Sequence, residues 1–491
     1  MESHKFHIPT EVTHVTETLN RAGFEAHLVG GCVRDLLLGK TPKDWDVTTN
    51  AKPDDMQGIF ENTFYENDYG TVGVVNEGTA EETLKVIEVT PYRIETSYSN
   101  ARHPDSVSFS DNLEDDLKRR DFTINAIAYE TSKGQLVDPY KGQDDLKRQL
   151  VRAVGSAEER FNEDALRMLR ALRLTAELNF TIDQETLEAI SKNADNLRHI
   201  SKERIRDEFV RILNSSAPMP TLVIAQKLGT LRYIAPDLER GIGIEQNQAH
   251  KYTVFEHNLR TLQHAADKNW PLDIRLAALF HDISKPETRR WSDQKTDWTF
   301  HGHDVVGARL TKKILTELKF SRETIEKVQK LVRWHMFFSD PEKVTLSAVR
   351  RTVRNVGENN VWDLLNLRIC DRVGTGRPKE QPFRFRKYKS MVEEALRDPI
   401  NVGMLAIDGK RLMEVTHEKP GPRVGSILHA LLEEVLDDPS KNTLEYMEKR
   451  AQNLSELSDE ELEKRGAQGK KRRGELEEEE IKKIREKYWV K

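Results

Sequence analysis

Gly30, Gly31, Arg34, Asp44 and Asp46 fall within one short stretch, Leu28 to Val47. Two glycines after an apolar run let a backbone approach a bulky anion and turn N–H groups toward phosphate. Arg34 follows within one helical turn and can pair with phosphate oxygens. Asp44 and Asp46 are separated by one residue, which on a strand puts both carboxylates on one face. Adjacent carboxylates repel unless a cation lies between them. Magnesium, bridging them to the phosphates of a nucleotide, is the natural occupant. Each piece alone is common; their combination points to phosphoryl chemistry at a metal.

A second set lies further along: His257, the doublet His281-Asp282, His303, His335 and Asp371. Imidazoles with carboxylates suit nickel, manganese, iron or zinc better than magnesium alone. An adjacent His-Asp pair can offer two ligands from one turn of helix.

The elements that position these residues are expected to change along the chain. Ala26 to Val29 reads as a strand, Val33 to Leu38 as a helix ending near Gly39, and Trp45 to Thr48 and Leu84 to Thr90 as strands. Ile124 to Tyr129 fits either type. From about residue 151 the apolar spacing is helical, in Glu163 to Leu178, Gln184 to Asn193 and Lys202 to Leu213. Pro218 and Pro220 mark a break. Phe255-Glu-His257 begins a helix, and His281 follows the apolar helical run Leu276 to Phe280. Ser458 to Glu461 forms a capping box that opens a charged, weakly packed tail.

At 491 residues the chain is too long for one core. The expected fold class is α+β: a head with a small mixed β-sheet at 1–150, then all-helical parts. These are a neck at 151–235, a histidine-rich domain at 245–375, a tail domain at 385–440 and a charged extension at 441–491. The net charge of −5 argues against non-specific nucleic-acid binding. It leaves room for local basic patches at Lys118 to Arg120, Arg377 to Lys389 and Lys470 to Arg473. No apolar run is long enough to span a membrane. Cys32 and Cys370 match no redox or metal motif, and no secretory signal is visible, so a cytoplasmic setting is expected.

The Leu28 to Val47 stretch resembles the first motif of nucleotidyltransferases of the polymerase-β superfamily. Within it, the stretch is similar to class II tRNA CCA-adding enzymes and bacterial poly(A) polymerases. Val86 to Arg93, Arg119 to Ala126, Val137 to Gly142 and Glu163 to Arg167 resemble the family's further motifs in the family's order. The resemblance covers roughly residues 20 to 215. It implies Asp44, Asp46 and Glu88 as catalytic carboxylates, the two aspartates as magnesium ligands. It further implies Gly30, Gly31, Arg34, Arg120, Asp121, Asn125, Asp164, Arg167, Arg170 and Arg173 as nucleotide-binding residues. Asp164 and Arg167, three apart on a helix, could simply pair with each other. The resemblance implies instead that they read the incoming base, since carboxylate and guanidinium match the amine and ring-nitrogen edge shared by cytosine and adenine. Tyr98 to Phe109 resembles the flexible loop of enzymes able to add the terminal A.

The histidine set resembles the HD phosphohydrolase superfamily. That implies His257, His281, Asp282 and Asp371 as defining ligands, joined by His303 and His335. Together the resemblances imply addition of CCA to tRNA from CTP and ATP, with a gripped acceptor arm and 3′ end, in a monomer or homodimer. Phosphatase, 2′-nucleotidase or 2′,3′-cyclic phosphodiesterase activity would accompany it. The rivals are a poly(A) polymerase, and an HD phosphohydrolase whose head only binds RNA. A stress-nucleotide enzyme is a third, although that family places HD before the transferase.

Overall fold

The protein is described from a computed structural model. Residues 5–66, 69–96, 106–247, 250–337, 344–396, 402–462, 464–465 and 486–488 are described. Most of the Tyr98 to Phe109 loop, and the tail beyond Arg465 save residues 486–488, lie outside them. The chain divides into two compact units. One comprises residues 1–333 and 370–377, the other 334–369 and 378–491.

The first unit opens with a seven-stranded mixed sheet. Its strands are β1 (Ala26–Val29), β2 (Asp46–Thr49), β3 (Thr63–Tyr65), β4 (Val72–Val75), β5 (Val86–Pro91), β8 (Ala128–Glu130) and β9 (Gln135–Val137). Their order is β3-β4-β5-β2-β1-β8-β9, and β6 (Arg93–Thr96) and β7 (Ser106–Phe109) form a separate ribbon. Only β2 and β5 run parallel within the large sheet; the other pairs are antiparallel. Along β5 the buried residues Ile87 and Val89 alternate with the exposed Val86 and Glu88. One face of the sheet is therefore core and the other is open. Beside β1, Val29 and Ala128 pack with Tyr92, Leu113 and Leu117.

Several sequence expectations shift at their edges. The strand expected from Trp45 begins at Asp46, with Trp45 buried just ahead of it. The ambiguous Ile124 to Tyr129 divides into a 3₁₀ turn, Thr123–Asn125, and strand β8. The helix expected from Glu163 is broken. Ala157–Glu163 ends at Asp164, whose backbone is extended at φ −137°, and a new helix runs Leu166–Leu178. The break expected at Pro218 is present: the helix Lys202–Asn214 ends before it, and Pro218 starts the next one, Pro218–Lys227, where its missing N–H costs nothing.

The helical part of this unit also holds strands. β10 (Leu150–Val151) and β11 (Thr181–Ile182) pair in parallel, and β12 (Arg290–Ser292) and β13 (Asp297–Thr299) form a ribbon. The helices Gln184–Asn193 and Val254–Asp267 start where Asp183 and Thr253 accept backbone N–H groups. Arg275 donates to the carbonyls of Leu213 and Ser215, closing the C-terminus of the helix Lys202–Asn214.

The second unit contains the helices Leu346–Val356, Phe383–Leu396, Gly409–Thr416, Pro422–Asp437 and Leu444–Ser455. Its core gathers Leu405, Ile407, Leu412, Ile427, Leu431, Met447, Ala451 and Leu454. The expected capping box is present: Ser458 Oγ accepts from the Glu461 N–H, and Glu461 accepts from the Ser458 N–H. Among the described residues no helix is long and apolar enough to cross a membrane.

Arg173 on the Leu166–Leu178 helix is buried and donates to Glu208 of the Lys202–Asn214 helix at 3.1 Å. Removing one partner leaves the other charge buried alone. Arg173→Ala should therefore destabilise the first unit by about 3–5 kcal/mol, while replacing both residues by apolar side chains should recover most of the loss. Urea unfolding of the two variants measures the difference.

Candidate functional site

Strand pairing builds the first site. Asp46 on β2 lies directly opposite Glu88 on β5. Two carboxylates at partner positions repel. Burial, with the charge of Asp44, raises Asp46 above the usual aspartate range, although Arg120 and Arg170 pull it back. Burial first, then Asp46, Glu66 and Asp44, raises Glu88. Asp44 lies exposed in the bend before β2 rather than on the strand. Its charge still reaches both acids. Such a surplus of oxygen donors and negative charge fits a divalent cation.

Gly30 closes the approach from the other side. It caps the helix Gly31–Leu37 at φ 80°, and a Cβ there would lie 3.1 Å from Arg120 Nη1 and 3.3 Å from Asp46 Oδ2. Glycine is thus required both by the backbone and by the guanidinium and carboxylate packed on it. Arg120 is steadied by Asp116, which is fully buried and accepts from Arg119 as well. Cys32 lies beneath, donating to the Val29 carbonyl; burial pushes its thiol up to about 12.

A hydrogen-bonded chain then runs out of the head. Arg34 donates to Asn125 Oδ1 at 2.9 Å, Asn125 to Asp121 Oδ1 at 3.1 Å, and Arg170 Nε to Asp121 Oδ2 at 2.7 Å. Burial alone would raise Asp121, but Arg170, Asn125 and Arg167 outweigh it and hold the carboxyl well below the usual range.

Asp164 and Arg167 are not paired through their side chains. Asp164 accepts from Arg204 at 2.7 Å and caps the N–H of Leu166; Arg167 donates to Glu163 and to the Arg119 carbonyl. Arg173 points into the helical interior at Glu208, away from this chain. The sequence pattern did not single out Asp116, Glu163 or Arg204. The only signal was the spacing of charges one helical turn apart, which surface helices share.

The second site forms where His257 of Val254–Asp267, the His281-Asp282 doublet after Leu272–Phe280, His303 at the start of His303–Glu317 and Asp371 converge. His257 Nε2 and His281 Nε2 face each other at 3.0 Å. Asp282 Oδ2 lies 3.2 Å from each, and Asp282 Oδ1 lies 3.3 Å from His303 Nε2. His281 and His303 have Nδ1 against the carbonyls of Ala278 and Phe300. That fixes the tautomer with the Nε2 lone pair turned inward. Inward lone pairs need a shared cation, so the set fits a metal. Without one, a proton serves: burial opposes the charged form of His257, but Asp282 and Asp371 outweigh it and raise it to about 9. His335 is buried and belongs to the second unit.

Three residues here escaped the sequence pattern. Lys285 Nζ reaches Asp282 Oδ2 at 2.5 Å and Gln246 Oε1 at 2.6 Å. His250 groups with His257 and Asp282 as a possible metal set. Lys285, one turn after Asp282, carried a usable spacing signal; Gln246 and His250 sit in a loop and carried none.

Residues 26–152 match the family model of the poly A polymerase head domain, residues 179–242 a probable RNA- and SrmB-binding site of polymerase A, and residues 254–373 the HD domain. Fold and matches together define a metal-dependent nucleotidyltransferase with an RNA-binding segment and an HD domain. The CCA-adding enzyme of Geobacillus thermodenitrificans is 32% identical over 433 residues, spanning 88% of this chain and 93% of its own length. That of Lactobacillus helveticus is 33% identical over 445 residues, spanning 90% and 96%. The crystal structure of the Bacillus stearothermophilus CCA-adding enzyme in complex with CTP matches with a TM-score of 0.59 at 26% identity, over 91% of this chain and 98% of that one. The chain belongs to the family of CCA-adding enzymes.

Two predictions follow the charge balance. The raised carboxyls of Asp46 and Glu88 mean that the folded state holds protons more tightly than the unfolded one. Their contribution to stability is therefore lost as pH rises above about 4. At pH 7 without divalent cations, Asp46→Asn should melt a few degrees above the wild type. Magnesium should raise the wild-type Tm more than that of the variant, as calorimetry can read.

His257 has the same sign in a higher pH window, and here it is the charged form that the fold favours. Its contribution is fully present below about 6.5, the ordinary histidine value, and is lost as pH rises through about 9. Loading the second site at pH 7.5 should displace that proton. Titration calorimetry in buffers of differing ionisation heat should register release of about one proton per metal bound.

Proposed function

We propose that the protein completes tRNA 3′ ends by adding C, C and A from CTP and ATP without a nucleic-acid template, releasing pyrophosphate. The observation that carries this reading is the Asp46–Glu88 register with Gly30 and Arg120 packed against it. Asp44, Asp46 and Glu88 would hold magnesium, which when bound favours the ionised RNA 3′ hydroxyl and neutralises charge on the leaving pyrophosphate. The residues themselves bind and orient. The Gly30–Gly31 backbone lets phosphate approach closely, and Arg34 and Arg120 offer guanidinium N–H groups to the triphosphate. Asp121 and Asn125 hold Arg34 and Arg170 in place, so the phosphate-binding groups are positioned before substrate arrives. Asp164, held by Arg204, and Arg167, held by Glu163 and the Arg119 carbonyl, would offer a base one acceptor and one donor fork by exchanging these contacts. That pattern matches the edge shared by cytosine and adenine and mismatches uracil and guanine.

In this reading residues 1–150 are the catalytic head, 151–235 the base-recognising neck, 245–375 the HD domain, 385–440 an RNA-gripping domain and 441–491 an extension. Contacts to the acceptor arm would be mainly to phosphate and shape, since every tRNA must be accepted. Cys32 and Cys370, buried and not joined in a disulfide, suit a reducing cytoplasm.

We further infer a phosphohydrolase activity at the second site, carried by the inward-facing Nε2 atoms of His257, His281 and His303 around Asp282. Those nitrogen donors suit nickel, manganese, iron or zinc. Removal of phosphate from a damaged tRNA end, including a 2′,3′-cyclic one, would prepare a hydroxyl for the first site.

The test is a tRNA lacking CCA, incubated with magnesium, CTP and ATP and resolved on a sequencing gel. C-C-A followed by arrest is expected, with extension abolished in Asp44→Ala. His281→Ala should keep extension and lose phosphate release from a 2′,3′-cyclic end. A long A ladder from ATP alone would instead make the protein a poly(A) polymerase. Phosphate release with no extension would reduce the head to an RNA-binding module.

A further inference from the structure

The acid row does not stop at Glu88. Glu88 pairs with Gly73 on β4, and Gly73 pairs with Phe64 on β3. Directly opposed residues share a face of the sheet. Asp46, Glu88, Gly73 and Phe64 therefore form one line across four strands, on the open face. The neighbouring line, Val47, Val89 and Val72, is buried.

Phe64 is 40% exposed on the outermost strand. Its ring does not point away from the acids. A Cβ at Gly73 would lie 2.5 Å from the ring's Cζ and 2.7 Å from Cε1. The ring thus lies along the row, over the glycine and toward Glu88, and it can do so only because residue 73 has no side chain. Adjacent strands are about 4.8 Å apart, so the ring ends roughly one strand spacing from Glu88. An exposed aromatic on an edge strand invites unwanted pairing. Here it lies beside the groups to which a reacting RNA hydroxyl must come.

We propose that Phe64 is a stacking platform for the base of the RNA's 3′-terminal nucleotide, the nucleotide whose hydroxyl is extended. The inference rests on the nucleotidyl-transfer reading of Asp46 and Glu88. A terminal ribose held at the acids carries its base only a short distance away, onto a surface one strand over. The chemistry of the surface also fits. The terminal base changes as the product grows, from the original end to C and then C. A hydrogen-bonding pocket would reject some of these bases, whereas every base has a π face. Phe64 offers a π face and no hydrogen-bonding group. It is a positioning residue for the acceptor, separate from Asp164 and Arg167, which address the incoming nucleotide.

The experiment uses the full chain and a CCA-lacking tRNA, with 2-aminopurine as its terminal base for the fluorescence arm. Wild type should quench the 2-aminopurine, and Phe64→Ala should relieve the quench. Phe64→Ala should raise KM for tRNA about 5- to 150-fold, the range that loss of one base–aromatic stack produces. CTP affinity, measured without RNA, should not change. Phe64→Trp should behave as wild type, and Phe64→Leu, which restores apolar bulk without a π face, should behave as Phe64→Ala. Equal KM for tRNA in wild type and Phe64→Ala would overturn the proposal. So would full rescue by Phe64→Leu, or a matching loss of CTP affinity. Those results leave the nucleotidyl-transfer reading standing; absence of extension by the wild type would remove both.

Discussion

The parallel pairing of β2 with β5 is the constraint on which the head depends. It sets Asp46 against Glu88, one strand apart on an open face, where burial first and then the charge of Asp44 raise both carboxyls, with Asp46 adding to the rise at Glu88. A sheet tolerates such a pair only when something positive is at hand. Arg120 supplies part of it from beside Gly30 and is itself anchored to the buried Asp116. The glycine, the guanidinium and the helix that Gly30 caps are consequences of housing two like charges at partner positions. The head thus gives up some stability to keep a cation site open, as functional sites commonly do.

The second site solves a similar problem with different donors. Imidazole nitrogens and carboxylates meet in a buried cluster, and backbone carbonyls of Ala278 and Phe300 fix which nitrogen of each ring looks inward. His257 takes up a proton against the cost of burial because Asp282 and Asp371 surround it. Oxygen donors on an open sheet face and nitrogen donors in a buried helical cluster are suited to different metals. One chain therefore carries two charge-balancing designs.

Much of this was legible from local pattern. Strand β1 and the helix Gln184–Asn193 were readable to the residue, because the glycine breaker after the one and the apolar spacing of the other lay within the segment. The glycine pair, the Asp-x-Asp spacing and the His-Asp doublet were readable for the same reason. Features set by distant partners were not. Asp44 lies outside the strand, in the bend before it, and nothing local to the Asp-x-Asp spacing marks that. The helix expected through Asp164 broke there, since that carboxylate caps Leu166 and reaches Arg204, forty residues on. Asp121 and Arg170 gave no sign of meeting, and the ribbon Arg290–Thr299 has strands of three residues, too short for alternation to register. The line from Asp46 to Phe64 exists only through strand register, which no single segment encodes.

The burial of Cys32 has a practical side. Its thiol is held at about 12, well out of the thiolate range, and Cys370 is likewise buried and outside any disulfide. Thiol reagents attack thiolates at accessible positions. The folded chain is in effect cysteine-silent without any substitution. A single cysteine introduced on either unit's surface could carry a fluorophore or spin label with little background, which makes the native sequence a ready host for distance measurements between its parts.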